Sequence, residues 1–239
     1  KAPLWPTGPL RAPRAGGVNS DRAWGGREVG LARGVGSQRA AIGRPELAST
    51  YQGRKYAPDV LLFANVGAVQ LNYAYGVEEC RRAVDMIEAD ALVLHLNAMQ
   101  EAVQPGGDTN FAGLAAKIEK MCREIWVPVV AKEVGWGISY EAAQLLWNAG
   151  VSAIDVAGAG GTSWSQVEAQ RIPAESGRLV AEAFAGWGIP TAESLRLALV
   201  EPTPVNATVF ASGGVRNGID VAKALALGAT LAGMARPFL

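Results

Sequence analysis

One local pattern recurs along the chain and constrains its fold more than any other feature. A short apolar run rich in β-branched residues ends in polar or glycine residues, and a stretch with helical periodicity follows. From residue 60 onward this pattern predicts strands at residues 60–65, 91–97, 127–134, 151–157, 207–211 and 230–235. It predicts helices at residues 77–88, 110–125, 139–148, 191–199 and 217–227. Strands that alternate with helices in this way favour an α/β fold with a parallel sheet covered by helices.

Two earlier strands are predicted at residues 3–5 and 31–36, which brings the total to eight. Eight parallel strands followed by helices form a TIM (β/α)8 barrel, whose working face lies at the carboxyl ends of the strands. The alternative is an open doubly wound sheet, but the first strand is not followed by the GxGxxG motif that is usual there. Because no helix follows the last strand, we expect N- and C-terminal parts of a complete barrel to be missing. The connection over residues 158–190 is long enough to hold an extra helix or a lid.

Composition narrows the class of protein. A chain of 239 residues with 49% hydrophobic residues is expected to form a single barrel domain over residues 1–239. Lysine and arginine total 22, as do aspartate and glutamate, so no net charge attracts nucleic acid or a membrane surface. The only cysteines, Cys80 and Cys122, have no CxxC or paired spacing, which favours a reducing cytoplasm over a disulfide framework or a zinc site. No apolar run of transmembrane length occurs.

Polar side chains follow two of the predicted strands. His95, Asn97, Gln100 and Glu101 come one after another at the end of the apolar run that starts at residue 91, and Lys132 ends the next strand. His95 alternates with apolar neighbours, so on a barrel strand it should point to the interior. Ordinary structural roles are the alternative: a core histidine, or a helix-start carboxylate at Glu101. An ion pair within the strand between Lys132 and its neighbour is disfavoured, because adjacent strand residues face opposite sides.

Glycines and small residues follow the later strands instead. They occur at residues 158–162, 212–214 and 235–236, the last being Ala235 and Arg236. In barrels, the loops after the seventh and eighth strands often bind phosphate, because glycine lets backbone N–H groups close on the oxygens. Gly213 and Gly214, which lead into a predicted helix, have this form.

Several motifs together resemble one known family. They are HLNAMQE at residues 95–101, GD at 107–108, KEVG at 132–135, GAGGTS at 158–163, WGIPT at 187–191, ASGG at 211–214 and AKALALGA at 222–229. In this order, and over nearly all of residues 58–239, the chain resembles type 2 isopentenyl-diphosphate isomerase. The resemblance implies an FMN-dependent barrel that interconverts isopentenyl and dimethylallyl diphosphate. It also implies NADPH to reduce the flavin, Mg²⁺ to bind the diphosphate, and a homo-oligomer of four or more subunits.

The resemblance further implies a role for each residue at a matching position. The catalytic set would be Gln100, which faces the substrate, with His95 and Asn97 at or near its diphosphate. Glu101 would hold Mg²⁺. The implied flavin-binding residues are Ser37, Asn65, Lys132, Thr162, Gly213, Gly214, Ala235 and Arg236. Of these, Lys132 would lie near the flavin ring, where a cation stabilises the negative charge of the reduced form.

The chemistry of the implied reaction explains why a flavin is needed without net redox. The double bond moves by protonation of one carbon and loss of a proton from another, and ordinary side-chain acids protonate an alkene poorly. The hypothesis therefore assigns the proton transfers to reduced flavin. The main alternative is an FMN-dependent barrel oxidoreductase such as a 2-hydroxy acid oxidase, which would need a histidine after a late strand. His95 is the only histidine of the chain. A non-catalytic phosphate-binding barrel would leave residues 95–101 without a role.

Overall fold

The computed structural model describes residues 4–6, 25–28 and 30–238, and a parallel sheet forms its centre. The strands are β1 (Leu4–Pro6), β2 (Arg33–Gly34), β3 (Leu62–Gly67), β4 (Ala91–Leu96), β5 (Val129–Glu133), β6 (Ala153–Asp155), β7 (Val209–Ala211) and β8 (Leu231–Met234). The helices are α1 (Arg39–Gly43), α2 (Val77–Ile87), α3 (Ala98–Val103), α4 (Leu114–Glu124), α5 (Tyr140–Asn148), α6 (Trp164–Ala169), α7 (Glu175–Ala183), α8 (Thr191–Ala198) and α9 (Gly218–Ala226). A further helical turn covers residues 25–28, and no helix in the described ranges is long and apolar enough to cross a membrane.

The strand order confirms the predicted parallel α/β architecture. The order is β1-β8-β7-β6-β5-β4-β3-β2, and every neighbouring pair is parallel. Within the described part of the chain, no hydrogen-bonded ladder joins β1 to β2. The structure therefore shows a parallel sheet of the TIM-barrel type, while full closure of the predicted barrel is not shown.

The predicted elements exist, but several bounds were wrong for identifiable reasons. The sixth strand ends at Asp155 rather than residue 157, because Ala157 has a positive φ of 36° that no strand accommodates. The predicted helix over 110–125 begins only at Leu114, after Gly113 with φ 65°. The connection over 158–190 holds α6 and α7. The two early strands are confirmed but short, and Pro3 of the first lies outside the described residues.

The outer face of the sheet packs against the helices and carries most of the core. On α2 the residues that face the sheet are Cys80, Ala83, Val84 and Ile87, all at most 2% exposed. They recur at helical spacing and pack in the same cluster as Ala64 and Val66 of β3. Burying a side chain such as Ile87 contributes about 1.5–3 kcal/mol relative to leaving it exposed.

The inner face changes character along the strands. Its lower part is a separate apolar cluster, formed by Ala32, Phe63, Ala91, Val93, Val130, Ala153 and Phe210. Two residues further along the strands the same face is polar, with Asn65, His95, Lys132, Asp155 and Ser212. Because side chains alternate with a period of two, these five residues follow directly above the apolar layer. The polar layer therefore lies at the carboxyl ends of the strands, as the sequence predicted for the working face.

Candidate functional site

Strand register brings the polar layer together. His95 pairs with Lys132, and Lys132 pairs with Asp155, so three ionisable side chains lie side by side on β4, β5 and β6. His95 Nδ1 lies 2.7 Å from Asn65 Oδ1 on β3. The Asn65 amide donates through Nδ2 to the Val35 carbonyl at 3.0 Å, which fixes Oδ1 as the acceptor for His95. His95 therefore carries a proton on Nδ1, and in the neutral ring Nε2 is the acceptor.

Gln38 links the segment after β2 to β3 and to α2, a role that the sequence did not indicate. Its fully buried side chain accepts the Asn65 N–H through Oε1 at 2.9 Å and donates through Nε2 to the Ala83 carbonyl at 2.9 Å. The Gln38 N–H in turn donates to the Asn65 carbonyl at 2.8 Å. The neighbouring Ser37 is half-buried, and its carbonyl accepts the Tyr51 hydroxyl at 2.9 Å. Ser37 and Asn65, both predicted flavin contacts, are thus on segments that Gln38 connects.

Lys132 is oriented by backbone rather than by an ion pair. Its Nζ donates to the Glu133 carbonyl at 2.6 Å, and no salt bridge joins the two side chains, as the strand geometry predicted. The Glu133 carboxylate instead turns the other way and accepts the N–H groups of residues 134–136 at 2.6–2.8 Å. Burial raises the pKa of Glu133 to about 7, although these three donors and Lys132 favour its charged form.

The residues after β4 form a second cluster at the start of α3. Glu101 is 6% exposed, and its Oε1 accepts Asn97 Nδ2 at 2.8 Å while its Oε2 accepts Gln104 Nε2 at 2.6 Å and the Asp108 N–H at 2.7 Å. The Asn97 Oδ1 atom is buried and has no hydrogen-bond partner. An unpaired amide oxygen beside a carboxylate offers the hard oxygen ligands that Mg²⁺ prefers.

The described residues contain no group of three or more His, Cys, Asp or Glu arranged around a metal position. A magnesium ion held at Glu101 would therefore complete its octahedron with water and substrate oxygens, which is its usual mode of binding. The residues present fit that mode.

Gln100 has a fixed amide orientation. Its Nε2 donates to Glu168 Oε1 at 2.9 Å, and its Oε1 accepts Asn97 Nδ2 at 3.3 Å. Glu168, on α6, is 4% exposed and also accepts Arg171 Nη1 at 3.3 Å. The role of Glu168 was not predicted, because α6 was not predicted and nothing in the local pattern of residues 164–169 indicates a partner 68 positions away.

Asp108 links the α3 cluster to the other side of the site. Its N–H donates to Glu101, and its carboxylate accepts Gln70 Nε2 and Arg39 Nη1, each at 2.9 Å. Gly107 permits this turn, because a Cβ there would lie 2.0 Å from the Glu101 carbonyl oxygen. Arg39 is thereby held by the same residue whose N–H donates to Glu101, a role that the sequence did not indicate.

Two loops at residues 158–162 and 212–214, called here the glycine loops, pack directly on each other after β6 and β7. A Cβ on Gly213 would lie 2.2 Å from the Gly158 carbonyl oxygen, and one on Gly214 would lie 2.5 Å from that of Gly160. Gly213 and Gly214 also have positive φ angles of 98° and 78°. Glycine is thus required first for loop packing, in addition to any ligand contact.

Several backbone N–H groups of the glycine loops have no hydrogen-bond acceptor among the described residues. They are the N–H groups of Gly160, Gly161, Thr162, Gly213 and Gly214. The side chain of Asn217 caps α9 by accepting from two N–H groups, so the donors of this helix start are satisfied locally. Neighbouring backbone N–H groups without acceptors can bind an anion such as phosphate. The N–H groups of residues 160–162, 213 and 214 are called here the anion cradle. Ala235 and Arg236 follow β8, the strand next to β7.

The carboxylate of Asp155 belongs to the polar layer and is hydrogen-bonded to the second glycine loop through Ser212. It is fully buried and accepts Ser212 Oγ at 2.7 Å. Burial raises the pKa of Asp155, while the neighbouring charge of Lys132 and the hydrogen bonds from Ser212 lower it.

Comparison with known proteins finds one matching family profile and several relatives that share one name. The profile of a family described as FMN-dependent dehydrogenase matches residues 80–239. Two relatives, both named isopentenyl-diphosphate delta-isomerase, come from Nostoc sp. and Synechocystis sp. and are 56% and 57% identical over 94% and 95% of the chain. One of the same name from Stutzerimonas stutzeri is 52% identical over 94% of the chain. The chain spans 64% of the length of each of these relatives.

These matches confirm the resemblance to isopentenyl-diphosphate isomerases that the motifs indicated. The family profile covers well over half of the chain and includes α3, Lys132 and both glycine loops. The chain therefore belongs to the family of FMN-dependent dehydrogenases.

Proposed function

We propose that this chain catalyses the interconversion of isopentenyl and dimethylallyl diphosphate, with reduced FMN bound at the carboxyl ends of the strands. The observation that carries the proposal is the meeting of three features at one edge of the sheet: the polar layer around His95 and Lys132, the α3 cluster with Gln100 and Glu101, and the glycine loops. The names of the relatives support the substrate, and membership of an FMN-dependent family supports the cofactor.

The glycine loops and the polar layer would hold the flavin. The N–H groups of Gly213 and Gly214, which have no acceptor, suit the FMN phosphate, and Thr162, Ala235 and Arg236 would contribute to the same site. Ser37, Asn65 and Lys132 would contact the rest of the cofactor, and the Lys132 ammonium would stabilise negative charge near the ring. When bound and reduced, FMN supplies a proton-transfer group beside an electron-rich ring that stabilises a cation-like alkene. NADPH is the proposed reductant.

The α3 cluster would bind and orient the substrate. Gln100 would face the alkene, and its hydrogen bonds to Glu168 and Asn97 hold its amide in one orientation. His95 and Asn97 would lie at the diphosphate, whose charge Mg²⁺ on Glu101 neutralises. Three donors fix the orientation of the Glu101 carboxylate, and its remaining lone pair would be available to the ion.

An anaerobic assay tests this proposal. Purified protein with isopentenyl diphosphate, FMN, NADPH and Mg²⁺ should form dimethylallyl diphosphate, and omission of FMN or Mg²⁺ should abolish the product. Flavin reduction by a 2-hydroxy acid with no isomer formed would instead establish the oxidoreductase alternative. That alternative is disfavoured because His95, the only histidine of the chain, lies on β4 and not after a late strand.

Further parts of the proposal concern the assembly. We propose that residues 1–239 form one domain in which β1 and β2 complete a closed barrel, since Cα atoms of these two strands approach within 8 Å. A homo-oligomer of four or more subunits in the cytoplasm, without nucleic-acid or membrane partners, is proposed from the resemblance and the neutral net charge. Light scattering of the purified protein would measure the subunit number.

A further inference from the structure

The Asp155 side chain gathers donors from two different loops. Its Oδ1 accepts Ser212 Oγ at 2.7 Å, the Ser212 N–H at 3.2 Å and the Ala157 N–H at 3.3 Å, while Oδ2 accepts Ser212 Oγ at 3.0 Å. Asp155 is fully buried at the end of β6. A buried carboxylate that uses its oxygens on backbone and hydroxyl donors fixes the segments that supply them.

Ala157 directly precedes the first glycine loop, and Ser212 is the first residue of the second. Ala157 is followed by Gly158, and Ser212 is followed by Gly213. Ala157 has a φ of 36°, a conformation that costs a non-glycine residue free energy and persists only where its surroundings hold it. The bond from its N–H to Asp155 is one such restraint, and the Gly158 N–H, which donates to the Ser212 carbonyl at 3.1 Å, is another.

The glycine loops tolerate little displacement relative to each other. The Gly213 backbone is so close to Gly158 that even a Cβ would not fit, and the Thr191 hydroxyl donates to the carbonyls of Ser212 and Gly213 at 3.2 and 2.6 Å. The N–H groups of the two loops that have no acceptor keep their relative positions only in this arrangement. Whatever fixes the relative position of Ala157 and Ser212 therefore fixes the anion cradle.

We infer that Asp155 is a positioning residue for the anion cradle, because it holds the starts of the two glycine loops in register. Asp155 acts through Ala157 and Ser212 and touches no ligand itself. The inference rests on the proposed binding of the FMN phosphate by these loops. The positioning role requires a hydrogen-bond acceptor at position 155, because every recorded hydrogen bond of the Asp155 side chain comes from a donor.

Comparison of FMN with riboflavin tests the inference, because riboflavin has the same ring system and lacks the phosphate. Asp155→Ala should weaken FMN binding about tenfold more than riboflavin binding, the expected effect of losing buried hydrogen bonds that shape the phosphate site, because any effect through the neighbouring Lys132 acts on the ring system that both flavins share. Dissociation constants are measured by flavin fluorescence quenching. Asp155→Asn keeps an acceptor of the same shape and should retain the wild-type ratio of the two affinities.

Two further variants distinguish a specific effect on phosphate binding from a general loss of stability. Ser212→Ala removes a single donor to Asp155 and should weaken FMN binding about threefold without affecting riboflavin. Trp147→Phe removes a buried hydrogen bond from Trp147 Nε1 to the Ala198 carbonyl on the outer side of the sheet, so it should leave the ratio of the two affinities unchanged.

The outcomes separate this inference from the proposed function. If the wild-type protein binds riboflavin as tightly as FMN, the phosphate site itself is wrong and the role of Asp155 falls with it. If the wild-type protein prefers FMN but Asp155→Ala weakens both flavins equally, or Asp155→Asn changes the ratio of the two affinities as much as Asp155→Ala, the phosphate site stands and the positioning role is overturned.

Discussion

The site has two halves that are built from different groups. In the half after β3, β4 and β5, side chains supply the polar groups. They are Asn65, His95 and Lys132 in the polar layer, with Glu101 in the α3 cluster. In the half after β6 and β7, the glycine loops present backbone N–H groups and have almost no side chains. A side chain can be exchanged while the backbone stays in place, whereas a glycine at loop contact cannot be changed without moving the loop. Substitutions in the two halves should therefore differ in kind.

The largest effect is expected in the backbone half, from Gly213→Ala. The new Cβ would lie 2.2 Å from the Gly158 carbonyl oxygen on a residue with φ 98°, so both packing and backbone are strained. We expect a loss of about 3 kcal/mol or more in unfolding free energy and no measurable FMN retention. Chemical denaturation and flavin absorbance measure the two quantities.

Gly218→Ala is the matched control for that substitution. A Cβ on Gly218, the first residue of α9, meets nothing within 4 Å, and its φ is not in the left-handed region. Its unfolding free energy should change by less than about 1 kcal/mol, with FMN retained. Equal behaviour of the two variants would contradict the distinction between the halves.

In the side-chain half, Glu101→Gln should separate chemistry from fold. Asn97 can turn its amide so that its unpartnered Oδ1 accepts from the new amide, and the cluster then stays hydrogen-bonded while it loses the charge that would hold Mg²⁺. We expect the protein to fold and to retain FMN, with isomerase turnover reduced by two orders of magnitude, about 3 kcal/mol of barrier, and partly restored by added Mg²⁺. Wild-type turnover at limiting Mg²⁺ would place the metal elsewhere, and loss of flavin would make Glu101 structural.

A smaller effect is expected from Lys132→Ala, which removes a cation from the polar layer. Reduced FMN should bind about tenfold more weakly relative to oxidised FMN, which lowers the reduction potential by about 30 mV for the two-electron couple. Lys120→Ala is the control, because it removes a positive charge from an exposed residue and should leave the reduction potential unchanged. An unchanged potential and turnover in Lys132→Ala would remove this residue from the flavin site.

The last effect is a pH dependence that arises from Glu133, whose carboxylate accepts the backbone N–H groups of residues 134–136. Its pKa is about 7 in the folded protein and 4.5 as the reference value, so between these pH values the folded state holds a proton that the unfolded state has lost. The unfolding free energy should therefore fall as pH rises from 4.5 to 7, with a slope of at most about 1.4 kcal/mol per pH unit from this group.

Denaturation of the wild-type protein and of Glu133→Gln across this pH range checks the Glu133 assignment. The neutral amide should remove this contribution to the slope. If both proteins show the same pH dependence, the three N–H donors keep Glu133 ionised throughout.

The sequence predicted the side-chain half better than the backbone half. His95 and Lys132 stand out in a sequence because a polar residue interrupts an apolar strand, and strand alternation is enough to place them on the inner face. Glu168 and Gln38 do not stand out, because their roles arise from contacts with residues that are 68 and 27 positions away. The sequence also indicated that Gly213 and Gly214 are special, but for contact with a ligand, whereas the contact shown is with the other glycine loop.

What the sequence determines by itself is local: the alternation of strands and helices, the parallel α/β class, and the polar groups that end β4 and β5. These follow from periodicity and chain order, which depend on neighbours in sequence. Tertiary structure alone decides the rest. It brings Gln100 to Glu168, gives Asp155 its donors from two loops, and presses Gly213 against Gly158, because each contact is fixed by strand register and loop packing between segments that are distant along the chain.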